Sequence, residues 1–502
     1  MRYSRGTLKE PEMGNLMEPV LEMPLTVPPR GSGERLRSLH GQLRAAILEG
    51  RLRPGLRLPS TRALAEAHGV SRNTAMAAYE LLLGEGYLAT RQGAGTYVAD
   101  VLPDLRDRRP VRERAATNDR RLNPFWLRGV ESAVSPPSPA RLDFRLGVPD
   151  ISYLPLDVWR RLSGRALRQY ARTPLGYGEV HGQPVLREAI ARYVSYARAV
   201  ACQADDITVT AGAQQAFDLL ARVLVTPKRT VVAVENPGYP PVRKAFEAAG
   251  GQIVGVPVDD EGLVVERIPA NAAVICVTPS HQFPLGSAMS ARRRAALLEL
   301  AHARGAVVIE DDYDAEFRFG GRPLDALQTL DRSESVFYVG TFSKSLVPAL
   351  RLGFTVAPGW AHRALGEAKR CADSHCSPLT QEALAAFISE GHLARHVRRM
   401  RRVYAARREV LLKGLRTQLG RWFEPVPSVA GLHLAALAKV PVDIAALVEG
   451  ARQHEVSVHS VDRFRMGRSR ISGLVFGYGA LESAGIVTGL ARLRDVVSQM
   501  SL

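Results

Sequence analysis

Lys344 is one of only seven lysines in a chain with sixty arginines, and it stands in Gly340-Thr341-Phe342-Ser343-Lys344 directly after an apolar run, with Arg351 seven residues on. An amine at a strand end, flanked by hydroxyls and followed by an arginine, suits a carbonyl compound with a phosphate tail. The amine bonds to the carbonyl carbon, and Thr341, Ser343 and Arg351 hold phosphate oxygens. About thirty residues upstream, Glu310-Asp311-Asp312-Tyr313-Asp314 follows the apolar stretch Ala306–Ile309. A carboxylate at the C-terminal end of a strand can pair with a protonated ring nitrogen, and a neighbouring phenol can bond a ring hydroxyl. Asp311 and Tyr313 are the candidates for these parts. The same acidic run could instead ligate a divalent cation.

Other polar groups fall at the ends of other apolar runs. Gly212-Ala213-Gln214 opens a helical pattern, so the backbone N–H groups of Ala213 and Gln214 can meet a phosphate. Asn236-Pro237-Gly238-Tyr239 offers the Tyr239 ring for stacking, and Thr278-Pro279-Ser280-His281-Gln282 turns His281 toward the same crevice. Strand-like runs at Ile207–Thr210, Thr230–Val234, Ile253–Pro257, Ala273–Thr278, Ala306–Ile309 and Ser335–Val339 alternate with helical patterns such as Gln214–Leu224 and Ala291–Ala303. That alternation predicts a mainly parallel α/β sheet, whose ligands bind at the C-terminal strand edge. A last α/β piece, Gly431–Leu437, Ser472–Tyr478 and Glu482–Met500, predicts a smaller C-terminal subdomain.

The first hundred residues carry a different chemistry. Leu36, Leu39, Leu43 and Ile47 recur at helical spacing, Pro59-Ser60-Thr61 caps a short second helix, and Ser71 caps a third after the Gly69 turn. Tyr87–Arg91 and Thr96–Ala99 flank Gln92-Gly93-Ala94-Gly95, which predicts a hairpin. A helix that reads DNA presents short polar or cationic side chains at its N-terminus. Ser71, Arg72, Asn73 and Thr74 meet that need, with Arg62 on the preceding helix and Arg91 and Gly93 at the hairpin tip.

Composition supports a polyanionic partner: 67 basic against 50 acidic residues give a net charge of +17 over 502 residues. No apolar run approaches the roughly 18 residues that cross a bilayer, and Glu10-Pro11-Glu12 interrupts the N-terminus where a signal peptide is apolar. The expected location is the cytoplasm, with no membrane partner. The four cysteines match no familiar zinc spacing and read as free thiols, and no metal site is expected. Residues 101–140 contain six prolines and eight arginines without a period, as an interdomain linker would. The expected boundaries are a leader at 1–33, a winged helix-turn-helix domain at 34–100, the linker, and an α/β domain at 141–502. The large part of that domain ends near 357 and the small part runs from about 358.

Leu58-Pro59-Ser60-Thr61-Arg62, Gly69-Val70-Ser71-Arg72-Asn73-Thr74, Glu85-Gly86-Tyr87-Leu88 and Gln92-Gly93-Ala94-Gly95-Thr96 together resemble the winged helix of the GntR family of bacterial repressors. The second set of motifs resembles fold-type I pyridoxal-phosphate enzymes of the aspartate aminotransferase-like group. The two in this order resemble the MocR subfamily of GntR regulators. The resemblance implies pyridoxal 5'-phosphate as cofactor, Lys344 as its Schiff-base lysine, Asp311 on the pyridine nitrogen, Tyr313 on the ring oxygen and Tyr239 stacked on the ring. Ala213, Gln214, Ser343 and Arg351 fall on phosphate, and Tyr177 would reach from one subunit of a homodimer into the partner's site. Two departures stand out: Pro284-Leu285-Gly286 lacks the hydroxyl the family commonly carries there, and Arg468 and Arg470 precede the last strand without an assigned role. The function expected is a regulator that binds a double-stranded operator and senses pyridoxal phosphate or an amine. An active aminotransferase with a DNA-binding appendage is the alternative, and a cofactor-free dimerisation scaffold a third reading.

Overall fold

The computed structural model describes residues 21, 23–29, 32–91, 94–100, 121–127, 140–172, 176–320, 325–467 and 471–500. Contacts divide the chain into two units, Met1–Arg121 and Leu122–Leu502. Gly93, Arg468, Arg470 and most of the stretch 101–140 lie outside the described residues. Within that stretch, expected to be aperiodic, Pro124–Leu127 forms one short helical turn.

In the first unit, helices Arg35–Leu48, Thr61–Ala67 and Arg72–Gly84 bury Leu39, Leu43, Leu64, Ala75, Ala78 and Leu82 in one core. The caps expected from the sequence form: Ser60 Oγ accepts from Ala63 N at 3.2 Å and Ser71 Oγ from Thr74 N at 3.0 Å. Each satisfies a helix N–H that has no partner within its own helix. Tyr79 OH donates to Pro59 O at 3.0 Å, tying the third helix to the segment before the second. Strands Leu88–Arg91 and Gly95–Val98 pair antiparallel as the wing.

The second unit is built on an eight-stranded sheet. Its order is Ile207–Thr210, Gly353–Val356, Val336–Thr341, Val307–Asp312, Ala272–Val277, Val231–Asn236, Gln252–Asp259, Gly262–Leu263. The consecutive pairs from Val336–Thr341 to Gln252–Asp259 are parallel, so their C-terminal ends share one edge. Helices on both faces bury these strands as apolar runs, the arrangement that parallel sheets require. Gly353–Val356 runs antiparallel between two strands that point the other way. A four-stranded sheet, Phe423–Pro425, His433–Ala438, Gly473–Gly477 and His459–Ser460, forms the smaller part with the long helix His392–Gln418 and the helix Ser483–Met500. Its core is separate, around Leu411, Leu434, Phe476 and Leu490. No helix among the described residues is long and apolar enough to cross a membrane.

Gly353 lets the antiparallel strand close over the cavity edge. A Cβ there would stand 2.9 Å from the Gly212 backbone and 2.9 Å from Gly340 O. Gly353→Ala therefore forces backbone apart. It should destabilise the second unit by about 1–3 kcal/mol in denaturant unfolding, the usual cost of overpacking.

Candidate functional site

Strand alternation sorts the acidic run. In a strand, successive side chains point to opposite faces, so Asp311 faces one way and Glu310 and Asp312 the other. Glu310 accepts from the Leu327 and Gln328 N–H groups at 2.8 and 2.9 Å. Asp312 accepts from Arg198 Nε and Tyr338 OH, both at 2.7 Å. Asp314 pairs with His281 Nδ1 at 3.0 Å. Glu310 and Asp312 are thus engaged on the face away from Asp311, whereas Asp314 lines the same cavity as Asp311.

Asp311 enters a cavity of about 140 Å³ at the C-terminal edge of the sheet. Its Oδ1 is buried without a hydrogen-bond partner among the described residues. Burial, with Asp312 and Asp314 nearby, holds its carboxyl well above the usual range, and the Lys344 ammonium pulls the other way. Lys344 enters the same cavity from the turn after Val336–Thr341, its Nζ donating to Gly147 O at 2.7 Å. Burial lowers its pKa; Asp314 and Asp311 oppose the shift, and the Arg351 cation adds to it. A lysine so placed carries more free amine near neutrality than an exposed one, which is what nucleophilic attack on a carbonyl needs.

A second part of the cavity lining suits an anion. Gly212 precedes the helix Ala213–Leu224 at φ +77° and offers no side chain to cap it. A Cβ there would stand 3.2 Å from two guanidinium nitrogens of Arg351, so only glycine leaves helix start and guanidinium open to one ligand. Arg351 is held over this site by donating to Ala211 O at 2.7 Å. Thr341 Oγ1 donates to Ser343 Oγ at 3.0 Å, placing two hydroxyls on the same wall.

Of the residues nominated from sequence, Ala213, Gln214, Tyr239, Asp311, Tyr313, Thr341, Ser343, Lys344 and Arg351 all line this cavity. His281 does not. It stands one layer behind the wall, 2 % exposed, because Asp314 and the Tyr313 hydroxyl, 3.0 Å away, both engage its Nδ1. Tyr177 is 93 % exposed and contributes nothing to the cavity of its own chain. Gly147, Phe283, Asp314 and His433 also line the cavity. Gly147 lies 197 residues from Lys344 and has no local signal. His433 begins the buried strand His433–Ala438, and a polar residue in so apolar a run is the one mark that could have drawn attention to it. Burial and the neighbouring His281 hold its pKa well below 6.5, so the ring is neutral.

In the first unit Arg62, Ser71, Arg72, Asn73 and Arg91 are exposed. The Ser71 hydroxyl is committed to the cap and to Thr74 Oγ1 at 2.8 Å, so Arg72 and Asn73 are the freer groups at the helix start. Arg91 pairs with Asp100 at 3.3 Å and lies over the Tyr97 ring, which orients it at the wing.

Residues 143–440 match the aminotransferase class I and II family, and residues 37–98 match the bacterial regulatory proteins of the gntR family. The chain is 37% identical over 463 residues to a probable rhizopine catabolism regulatory protein MocR of Rhizobium meliloti, covering 91% of this chain and 93% of that one. It is 32% identical to the HTH-type pyridoxine biosynthesis transcriptional regulator PdxR of Corynebacterium glutamicum, covering 95% and 99%. Among solved structures, a Pyrococcus horikoshii kynurenine aminotransferase superposes with a TM-score of 0.66 at 27% identity, over 74% of this chain and 92% of that one. The fold and cavity are those of a pyridoxal-phosphate aminotransferase domain joined to a helix-turn-helix head. The chain belongs to the MocR-type GntR-family transcriptional regulators.

Pyridoxal 5'-phosphate is the cofactor of this class of domain, and the residues present fit it. The partnerless Asp311 Oδ1 matches a protonated ring nitrogen, and the open helix start beside Arg351 matches a phosphate. Bound there, the cofactor supplies an electrophilic carbonyl carbon and an electron-withdrawing ring. Lys344 would attach to it, Asp311 would hold the ring proton, Tyr239 would cover the ring, and Arg351 with Ser343 would anchor the phosphate.

Wild-type protein given pyridoxal phosphate should turn yellow, with colour fixed covalently by borohydride; Lys344→Ala should do neither. The capture rate in stopped flow should rise with pH and level off below the ordinary lysine value of 10.5. Arg351→Ala removes a cation that disfavours the ammonium, so its plateau should move to higher pH. Loss of the phosphate contact should also weaken cofactor affinity roughly tenfold to a hundredfold, equivalent to about 1.5–3 kcal/mol.

Proposed function

We propose that this regulator binds its operator as a homodimer through the winged helix and responds to pyridoxal phosphate, or to an amine that exchanges onto it, at Lys344. The observation carrying this reading is the convergence of Lys344, the partnerless Asp311 and the Arg351 cradle in one cavity, on a chain whose other unit exposes Arg72 and Asn73 at a capped helix start. Exchange of an amine for Lys344 frees the lysine side chain inside a buried site that holds Asp311 and Asp314 and puts the ligand's own groups in that site. Ligand-bound and ligand-free states then differ in local contacts, which is the differential interaction a switch requires. A relative named for regulation of pyridoxine biosynthesis supports the cofactor itself as one signal.

Dimerisation is supported by exposed apolar side chains at Ile151, Leu156, Leu167 and Tyr196 of the second unit and by the almost fully exposed Tyr177. Tyr177 is assigned to the partner's cavity, and two half-sites suit a two-fold dimer. Arg62, Ser71, Arg72, Asn73, Thr74, Arg91 and Gly93 are assigned to DNA, and a DNA-binding role supports a cytoplasmic location. The retained set Lys344, Asp311, Tyr313 and Tyr239 favours transamination as a second reading.

Steady-state assays with amino acids and keto acids separate the two: a sensor turns over slowly or not at all, whereas sustained turnover at roughly 1 s⁻¹ or faster makes it an enzyme. For the head, Arg72→Ala should cost about 1–3 kcal/mol on the cognate operator and relax its sequence preference. Arg91→Ala should weaken all sequences alike and flatten the salt dependence by about one unit. Both are read by fluorescence anisotropy over a salt series.

A further inference from the structure

The helix His392–Gln418 carries a cationic face that the cavity does not use. From Gly391 to Arg408 the sequence contains no acidic residue and seven arginines. At 100° per residue, Arg395, Arg398, Arg399 and Arg402 fall within an arc of about 100°, along roughly 10 Å of helix. Leu393, His396, Val397, Met400 and Tyr404 are buried on the opposite face, so the four arginines point away from the core and are exposed.

None of the four has a carboxylate partner among the described residues. Arg395 donates to Glu390 O and to His392 Nδ1, Arg399 lies over the Tyr153 ring, and Arg398 and Arg402 make no ion pair or hydrogen bond among the described residues. Three acids on segments bonded to this helix are engaged elsewhere: Glu390 with Arg165 and His392, Glu316 with Tyr193, and Asp150 with Arg407. Two turns further on, the same helix pairs its arginines, Arg407 with Asp150 at 2.6 Å and Arg408 with Glu409 at 2.9 Å. Like charges three and four residues apart on a helix repel. A face that keeps four of them without one acid is compensated by an anion from outside, and arginine forks suit phosphate oxygens.

Resting on the reading that the winged helix holds DNA, we propose that Arg395, Arg398, Arg399 and Arg402 form a second DNA-backbone contact, on duplex that flanks the operator core. Such a contact reads no sequence. It adds affinity by counterion release, at about 0.9 in the slope of log K against log salt for each phosphate met.

The test uses the full chain loaded with cofactor. Wild-type protein selects its site from a pool of random duplexes. That site is then made as a core of about two helical turns and as the same core with about three extra turns of arbitrary sequence on each side. Affinities are measured over a potassium chloride series. The expected result is a steeper slope for wild type on the long duplex than on the core. The combined variant R395Q/R398Q/R399Q/R402Q should lose about 2–4 units of the long-duplex slope while keeping wild-type core binding, melting temperature and yellow colour. The corresponding fourfold Arg→Lys variant should keep most of the slope. A long-duplex slope unchanged in the glutamine variant overturns the proposal and leaves the operator reading intact. A wild-type protein that selects no duplex overturns the operator reading, and the proposal with it.

Discussion

Two opposite charges are brought out of water at the ends of adjacent parallel strands, and the rest of the second unit is arranged around that pair. Asp311 and Lys344 each sit where burial disfavours their charged form; the Lys344 cation opposes the shift of Asp311, and Asp314 with Asp311 opposes that of Lys344. Neither is neutralised by a direct ion pair among the described residues: the amine bonds the Gly147 carbonyl and the carboxylate keeps a bare oxygen. The chain thus holds a donor and an acceptor ready for a partner that brings complementary groups to both, which a molecule with a carbonyl and a basic ring nitrogen does.

The supports of that pair explain why the surrounding polar network is so dense. Alternation in Val307–Asp312 puts a carboxylate on each face of the sheet. The face away from the cavity answers with Arg198 and Tyr338 on Asp312 and two backbone N–H groups on Glu310. Buried charges are tolerated when every one is paired or bonded, and an unpaired one marks a site where something else belongs. Asp311 is such a site. His281, held by Asp314, serves the same end from behind: it fixes the Tyr313 hydroxyl next to the cavity without itself lining it.

Much of this site is legible in the amino-acid sequence. Lys344, Asp311, Tyr239 and the Gly212 turn each follow an apolar run. The rule that parallel sheets bind ligands at their C-terminal edge brings them together without knowledge of strand order. The helix caps at Ser60 and Ser71 are equally readable, because capping is a local interaction over three residues. His281 is the instructive miss. A histidine at a strand end has the chemistry of a cavity group, but the packing of Asp314 and Tyr313 decides which way its ring is held. Gly147 carries no such signal because it enters the cavity from a segment 197 residues from Lys344, and no spacing encodes that approach.

By itself, the sequence determined the two-part composition of the molecule, the helices with their caps, the strand runs and the residue types able to bind a phosphorylated carbonyl, all of which depend on neighbours a few positions apart. Only the tertiary structure decided that Asp311 would stand bare while Asp312 was paired, that Gly353 would press against Gly212, and that four arginines of one helix would face solvent with no acid opposite among the described residues. Those outcomes depend on which strands lie side by side and on how much water is excluded between them, quantities set by contacts between residues as many as two hundred positions apart.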